Sequence, residues 1–260
     1  MCVAELSEES VRSFSESVKL EGTGESFRVP ILYKFLVSFL SPIVRALFNV
    51  HVYGMERLPR SGPFILASNH VSNLDPIFKI MAARREVFYL AKEEHFQKQP
   101  NRFIMKSNGM IETFRESGGR DALARASDVL SAGLPIGVFP EGTRSRRDSP
   151  PFLQPGKTGV ARLSARFPEV QVFPICVIGT RGVMPPGRNL IKFWKRADVH
   201  IGNPISFSEW LSSPEGGSFS DDEISNLMAL DEHGQRSIKK ALFRKYTDQL
   251  MRTLHMMGAP

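Results

Sequence analysis

The sequence predicts a single α/β domain with a central, mostly parallel or mixed sheet flanked by helices. An apolar helical segment that associates with a membrane precedes this domain. Two observations lead to this fold class. The chain has 260 residues, enough for one large domain with a full core. From residue 51 onward, short apolar runs alternate with helical patterns, which is typical of a sheet with helices on both faces.

The N-terminal part, residues 1–29, is polar and rich in serine and glutamate, and we expect it to be poorly ordered. Its first residues lack the positive region and apolar core of a secretory signal. The chain has two cysteines, Cys2 and Cys176, which is too few for a disulfide framework or a metal cluster. This cysteine content favours a reducing compartment.

Residues 30–50 form the most apolar segment. Only ten residues separate Lys34 from Arg45, and Pro42 is among them. Because a membrane span needs about 20 apolar residues, this segment is a poor transmembrane helix. We expect one kinked helix or two short ones in the membrane interface, with Lys34 and Arg45 directed toward lipid headgroups. The alternative is a buried N-terminal helix of the core.

Residues 51–260 form the main domain. The predicted strands, in order, are HVYG, FILASN, EVFYLAK, GMIETF, PIGVFP, QVFPICVIG and DVHIG. The predicted helices lie near residues 75–84, 120–132, 158–165 and 235–256. Residues 208–234 are rich in serine, glycine and acidic residues, and we interpret them as a surface excursion.

The basic balance of the chain restricts its partners. The formal net charge is +7 and the sequence pI is about 9.6. Nucleic acid, an anionic membrane surface and a small phosphorylated substrate all fit this charge, as does a lysine-rich solvated face. The sequence has no zinc-binding, RNP or helix-turn-helix signature, so nucleic acid is not an expected partner.

The stretch SNHVSNLDP, residues 68–76, combines a histidine and a carboxylate at the end of a predicted strand. Pro76 fits the first turn of a helix, where its missing N–H costs nothing. A carboxylate at that helix start, Asp75, can fold back onto the imidazole of His70 and fix its tautomer. His70 is therefore a candidate general base. The alternative is a surface histidine beside a helix-capping aspartate.

Two further stretches place arginines after predicted strands. VFPEGTRSRR contains Glu141, Gly142 and Arg144; the glycine allows close approach of a ligand, and the arginine suits a phosphate. Glu141 can accept a hydrogen bond from a substrate hydroxyl or hold Arg144. NGMIETFRES places Gly109 six residues before Arg115, a second candidate phosphate ligand. The alternatives are a charged surface turn and a solvated arginine.

Together these stretches resemble the glycerolipid acyltransferases, the lysophosphatidate and glycerol-3-phosphate acyltransferases. NHVSNLD matches the Asn-His-x-x-x-x-Asp block of that family, GMIETFR its Gly-x5-Arg block and FPEGTRS its third block. VFPICVIG stands where its apolar-Pro-apolar strand belongs. The resemblance covers roughly residues 52–205 and is nearer to the lysophosphatidate branch. It implies His70 and Asp75 as catalytic residues, and the following as substrate-binding residues: Asn69, Gly109, Arg115, Glu141, Gly142, Thr143, Arg144, Lys157 and Pro174.

The resemblance also implies a reaction. A fatty acyl group moves from acyl-CoA or acyl carrier protein to the free hydroxyl of 1-acylglycerol-3-phosphate, without a metal or organic cofactor. The implied partners are a phospholipid membrane, the acyl donor and a lysophospholipid acceptor, with the protein peripheral on the cytoplasmic face of a membrane. The alternatives are a glycerol-3-phosphate or other lysophospholipid acyltransferase, and a non-catalytic basic protein that binds membranes.

Overall fold

The computed structural model describes residues 6–97, 99, 101–113, 119–185 and 190–260. All seven predicted strands are present in this part of the chain, with ends within two residues of those expected. They are β1 (Val50–Tyr53), β2 (Ile65–Ser68), β3 (Phe88–Lys92), β4 (Met110–Thr113), β5 (Ile136–Val138), β6 (Val172–Ile178) and β7 (Ala197–Ile201).

The strands form one mixed sheet in the order β1-β7-β6-β2-β5-β3-β4. Strands β2 to β6 are mutually parallel, whereas β7 is antiparallel to β6 and parallel to β1. Ile178 at the end of β6 therefore pairs with Asp198 near the start of β7. The edge at which β2 to β6 end, and at which β1 and β7 begin, is called the carboxyl edge below.

Ten α-helices surround the sheet in the described residues. They are α1 (Glu8–Ser17), α2 (Ile31–Leu47), α3 (Asp75–Ala83), α4 (Asn101–Ser107), α5 (Arg120–Ser131), α6 (Gly159–Arg166), α7 (Thr180–Val183), α8 (Phe207–Ser212), α9 (Asp221–Ala229) and α10 (Glu232–Met256). The four helices predicted from the sequence correspond to α3, α5, α6 and α10.

The core has two layers because successive strand residues point to opposite faces. Ile65 and Ala67 of β2 pack with apolar side chains of α1, α5, α6 and α8 to α10. Phe64, just before the strand, and Leu66 pack instead with α2 and α3. Helices α2 and α10 therefore lie on opposite faces of the sheet, and the prediction of helices on both faces is confirmed.

The expectation of a poorly ordered N-terminus is wrong for the described residues. Helix α1 begins at the cap residue Ser7, whose side chain accepts a hydrogen bond from the backbone N–H of Ser10. Phe14 and Val18 are four residues apart, both are buried, and both join the core. Only a few apolar residues anchor this helix in the core, so the overall composition of residues 1–29 remains polar and does not indicate a packed helix.

Helix α2 is a single helix that contains Pro42. None of the described helices is both long and apolar enough to cross a membrane. One side of α2 packs on the core through Tyr33 and Val37, and the Tyr33 hydroxyl donates to the carbonyl of Val87 at 2.7 Å. The opposite side exposes large apolar residues at four-residue intervals: Ile31, Phe35, Phe39, Ile43 and Leu47.

Residues 208–234 are not a surface excursion. They contain most of α8 and all of α9, and each of these helices starts with a capping box, at Ser206 and Ser220. Trp210 and Leu227 are buried in the core. The capping serines and the acidic first turns account for the polar composition that indicated a loop.

Candidate active site

Three loops at the carboxyl edge bring the candidate residues together. They follow β6, β2 and β5, which are adjacent in the sheet. His70 follows β2, residues 141–144 follow β5, and Thr180 follows β6. Crevices outside the carboxyl ends of parallel strands are the usual ligand sites of open α/β sheets.

His70 and Asp75 form a hydrogen-bonded pair. Asp75 is the first residue of α3, and its Oδ2 lies 2.9 Å from the Nδ1 of His70. The same oxygen accepts the backbone N–H groups of Val71 at 2.7 Å and Ser72 at 2.8 Å. The carboxylate thus closes the loop onto the helix start and holds the imidazole at one defined position. The pairing predicted from the spacing is present.

Thr180, which was not identified from the sequence, completes the environment of Asp75. Its hydroxyl donates to Asp75 Oδ1 at 2.7 Å, and both residues are buried. Burial alone would raise the pKa of Asp75, but the hydrogen bond from His70 and the charge of Lys79 outweigh it and hold that pKa below its usual value. Asp75 is therefore ionised at neutral pH.

The ionised carboxylate fixes the tautomer of His70. Because Asp75 accepts at Nδ1, the proton lies on Nδ1 and the Nε2 lone pair is free. Burial lowers the pKa of His70, while the hydrogen bond to Asp75 opposes that change. The imidazole stacks on Phe139 with ring centroids 3.9 Å apart, and its side chain is 17% exposed. A neutral, oriented and accessible imidazole can act as a general base.

Lys79 is a second residue that was not identified from the sequence. It is buried in α3, where its ammonium donates to the carbonyl of Asn69 at 3.1 Å and lies 4.1 Å from the centroid of the Phe139 ring. Burial lowers the pKa of Lys79 to about 7, against the charges of Asp75 and Glu141, which raise it. Phe139 contacts both Lys79 and His70, so a buried cation lies close to the candidate base.

The side chain of Asn69 binds the backbone of β6. Its side-chain amide donates to the carbonyl of Val177 and accepts from the N–H of Val177, each at 2.8 Å, and the residue is buried. This double hydrogen bond continues the pairing between β2 and β6 beyond the end of β2. The substrate-binding role expected for Asn69 is corrected to a positioning role.

Both carboxylate oxygens of Glu141 accept hydrogen bonds from the backbone. Its Oε1 accepts the N–H of His70 at 2.8 Å, and its Oε2 accepts the N–H of Gln154 at 2.9 Å. Burial raises the pKa of Glu141 to about 7, although these two hydrogen bonds lower it. The residue holds the two loops together, which corrects the expectation that it accepts a substrate hydroxyl or holds Arg144.

Arg144 lies beside the pair, because the backbone N–H of the next residue, Ser145, donates to the carbonyl of His70 at 3.0 Å. Arg144 itself donates to Asn73. Among the described residues, five buried side-chain donors make no hydrogen bond, and three of them follow β5 or β6: Arg144 Nε, Ser145 Oγ and Arg181 Nη1. Arg181 stacks on Phe152, with its guanidinium carbon 4.4 Å from the ring centroid. Donors of this type suit the oxygens of a phosphate.

The other predicted residues occupy varied positions. Gly142 has a φ of 72°, and a Cβ there would lie 2.9 Å from the ammonium of Lys157. The side chain of Lys157 therefore lies over this turn, and its backbone N–H donates to the carbonyl of Pro140 at 2.8 Å. Thr143, in the same turn, is half-buried. Arg115 lies outside the described residues.

Gly109 and Pro174 are structural. Gly109 has a φ of 67°, and a Cβ there would lie 2.5 Å from the ring of Tyr33 in α2. Pro174 is buried within β6, where it pairs with Ala67 of β2. Gly109 precedes β4 and Pro174 lies within β6, so packing accounts for both residues, and the substrate-binding roles expected for them stay predictions.

Comparison with known proteins places this site in a family. The model of the Acyltransferase family matches residues 49–178. A 1-acyl-sn-glycerol-3-phosphate acyltransferase of Bacillus subtilis is 29% identical over 184 residues, which cover 70% of this chain and 87% of that protein. A chloroplastic 1-acyl-sn-glycerol-3-phosphate acyltransferase of Arabidopsis thaliana is 29% identical over 165 residues, 62% of this chain and 45% of the relative. This chain thus spans less than half of the plant relative.

A solved structure has the same fold. The 1-acyl-sn-glycerophosphate (LPA) acyltransferase PlsC of Thermotoga maritima superposes with a TM-score of 0.55 at 23% sequence identity, covering 80% of this chain and 79% of that one. The family match begins just before β1, ends with β6, and includes the His70–Asp75 pair and the loop at residues 141–144. It covers half of the chain, and the protein therefore belongs to the Acyltransferase family.

Proposed function

We propose that the protein transfers a fatty acyl group from acyl-CoA or acyl carrier protein to the free hydroxyl of 1-acylglycerol-3-phosphate, giving phosphatidic acid. Family membership and the names of its relatives support acyl transfer to this acceptor. The observation that carries the chemistry is the His70–Asp75 pair, with Nδ1 bonded to a buried carboxylate and Nε2 free.

The reaction follows from this geometry. An alcohol has a pKa far above 7 and loses its proton only as it attacks. Nε2 of His70 takes the proton while the hydroxyl oxygen attacks the thioester carbonyl, and Asp75 stabilises the imidazolium. The carbon–sulfur bond then breaks, and the imidazolium returns the proton to the departing thiolate. No metal or organic cofactor is needed for these steps.

The phosphate of the acceptor is assigned to the arginines at the carboxyl edge. Arg144 and Arg181 each keep a buried donor without a hydrogen-bond partner, and the charge of Arg144 acts on His70 while that of Arg181 acts on Arg144. Gly142, Thr143 and Lys157 surround the same turn, and Arg115, after β4, is a further candidate. Binding a dianion here aligns the neighbouring hydroxyl with Nε2 and lowers the entropic cost of attack.

The membrane is the proposed location of the acceptor, with the protein peripheral on its cytoplasmic face. The exposed apolar side of α2 supports contact with a membrane, since apolar residues at four-residue intervals suit burial in the headgroup region. Replacing Phe35 and Phe39, whose rings stack at 4.4 Å, with serine should reduce sedimentation with anionic vesicles. Unchanged sedimentation of this variant would contradict the role of α2.

An acceptor screen tests the function. Thiol release from acyl-CoA, or acyl transfer from acyl carrier protein, should occur with lysophosphatidate and be weaker with glycerol-3-phosphate or lysophosphatidylcholine. The His70→Ala variant should lose on the order of 10²–10⁴ in kcat, with little change in acceptor affinity, because the proton transfer exists only in the transition state.

The exposed histidine His233 on α10 supplies the matched control, and His233→Ala should retain wild-type rates. Turnover by His70→Ala at the wild-type rate would refute the general base. Absence of transfer from both donors by the wild-type protein would favour the non-catalytic membrane-binding alternative. Preference for another acceptor would indicate a different lysophospholipid or glycerol-3-phosphate acyltransferase.

A further inference from the structure

We infer that the turn at residues 192–195 is a second membrane contact, in which Phe193 and Trp194 insert into the interface of an anionic bilayer beside α2. This inference rests on the proposed membrane location and adds a separate element to it. The turn lies outside the segment 30–50 from which membrane association was predicted, and beyond the family match at residues 49–178.

The turn presents its aromatic residues at the tip. The N–H of Lys195 donates to the carbonyl of Lys192 at 3.1 Å, which places Phe193 and Trp194 at the two central positions. Trp194 is 70% exposed, and Leu190 just before the turn is also exposed. A tryptophan side chain that stays in water does not gain the free energy that burial of its apolar surface would provide. The membrane–water interface suits an indole ring, because the ring is apolar and its N–H can form a hydrogen bond with water or a headgroup.

The turn contacts the residues that directly follow α2. The ring of Phe193 contacts that of Phe48, directly after α2, with centroids 4.9 Å apart. The N–H of Asn49 donates to the carbonyl of Phe193 at 3.4 Å. Leu47, at the end of the exposed apolar side of α2, lines the same surface recess as Trp194. The two apolar surfaces are therefore continuous.

Charge favours an anionic bilayer as the occupant of this surface. Lys192 and Lys195 flank the aromatic pair on either side, and Arg45 is exposed in the last turn of α2. Lysines beside an inserted aromatic residue can reach phosphate groups while their stems stay in the apolar region. Arg196 is paired with Asp198 and adds no free charge.

Sheet topology directs this surface toward the active site. The turn precedes β7, and α2 precedes β1, and both strands begin at the carboxyl edge where His70 lies. Helix α2 alone leaves the protein free to roll about the helix axis on the membrane. A second contact beside the helix removes that freedom and fixes the distance between the carboxyl edge and the lipid.

The intrinsic fluorescence of the chain tests the inference directly. The sequence has two tryptophans, Trp194 and Trp210, and Trp210 is buried and donates to Gln249. Adding vesicles of phosphatidylcholine and phosphatidylglycerol should shift the emission of the full-length protein to the blue. Brominated lipids in the same vesicles should quench it. Both effects should vanish in Trp194→Phe, in which only the buried Trp210 emits.

Vesicle partitioning supplies a second readout. Trp194→Ala should lower the partition coefficient on the order of tenfold, as expected for losing one large inserted side chain. Ile238→Ala on α10 is the control, because it removes a partly exposed apolar side chain from the sheet face opposite to α2. The control should bind vesicles like the wild type.

Different results would contradict the membrane location of the protein and the role of the turn at residues 192–195. Sedimentation with vesicles but no bromine quenching would overturn the role of the turn and leave α2 as the membrane contact. Absence of sedimentation by the wild type would contradict the membrane location itself. A blue shift that depends on protein concentration without vesicles would assign the turn to contact between two copies of the chain, and would also overturn the inference.

Discussion

The backbone N–H of His70 donates to Oε1 of Glu141 at 2.8 Å, which joins two sequence motifs that lie 71 residues apart. The second oxygen of Glu141 holds Gln154, so one buried carboxylate fixes the loop after β2, the turn after β5 and the segment that follows this turn. The position of the candidate base therefore depends on a residue that does not itself touch the reacting atoms.

Glu141→Gln should change how stability depends on pH. Burial raises the pKa of Glu141 from 4.5 to about 7, so its contribution to stability is complete below pH 4.5 and is lost as pH rises through 7. Between pH 4.5 and 7, the free energy of unfolding of the wild type should therefore fall by about 3 kcal/mol relative to that of the glutamine variant. Urea unfolding of both proteins at several pH values measures the difference, and parallel curves would contradict the assignment.

Asp75→Asn should retain the loop but lose most of the activity. The amide oxygen can still accept the N–H groups of Val71 and Ser72, but the imidazolium loses its charged partner. We expect kcat to fall on the order of 10²–10⁴. Because the hydrogen bond and charge of Asp75 raise the pKa of His70, the acidic limb of the kcat/KM profile should move to lower pH. A limb that stays in place would argue against His70 as the titrating base.

Lys79→Met should shift the same limb in the opposite direction. The charge of Lys79 lowers the pKa of His70, and Lys79 is protonated at the acidic pH values where His70 titrates, since its own pKa is about 7. Removing the charge should raise the pKa of His70 and move the acidic limb to higher pH. A purely structural role for Lys79 would lower kcat at all pH values without moving the limb.

Arg181→Ala should weaken binding of the acceptor phosphate. Hydrogen bonds to charged groups contribute about 1.5–3 kcal/mol, so the KM for lysophosphatidate should rise roughly tenfold to a hundredfold. Arg144→Ala should behave similarly, with a lower kcat if alignment also suffers. The exposed Arg236 on α10 gives a control, and Arg236→Ala should leave KM unchanged. A uniform loss with a phosphate-free monoacylglycerol as well would contradict phosphate recognition.

The sheet could be predicted from the sequence because each strand is a short apolar run between polar turns, a local pattern that needs no knowledge of distant residues. His70 and Asp75 were identifiable for the same reason, since five residues separate them. Thr180 and Lys79 were not identifiable. The threonine reaches Asp75 across 105 positions in the chain, and the lysine is buried in an apolar helix where its role depends on the ring of Phe139.

The motifs also could not distinguish residues that bind substrate from residues that hold the loops. Asn69 and Glu141 have the polar groups of ligand-binding residues, but their hydrogen bonds go to the backbone of Val177, His70 and Gln154. Gly109 occurs in a motif with an arginine, yet its lack of a side chain makes room for Tyr33. Sequence identifies the residue types, and the long-range contacts decide their use.

The packing of Tyr33 against Gly109 has a practical consequence for protein production. Helix α2 has an exposed apolar side and a side that is part of the core, so deleting residues 1–48 would uncover core residues such as Phe78. Solubility in the absence of detergent is better sought at exposed positions such as Phe35 and Phe39. Polar residues there leave Tyr33 and Val37 in place and yield a folded chain for crystallisation or spectroscopy.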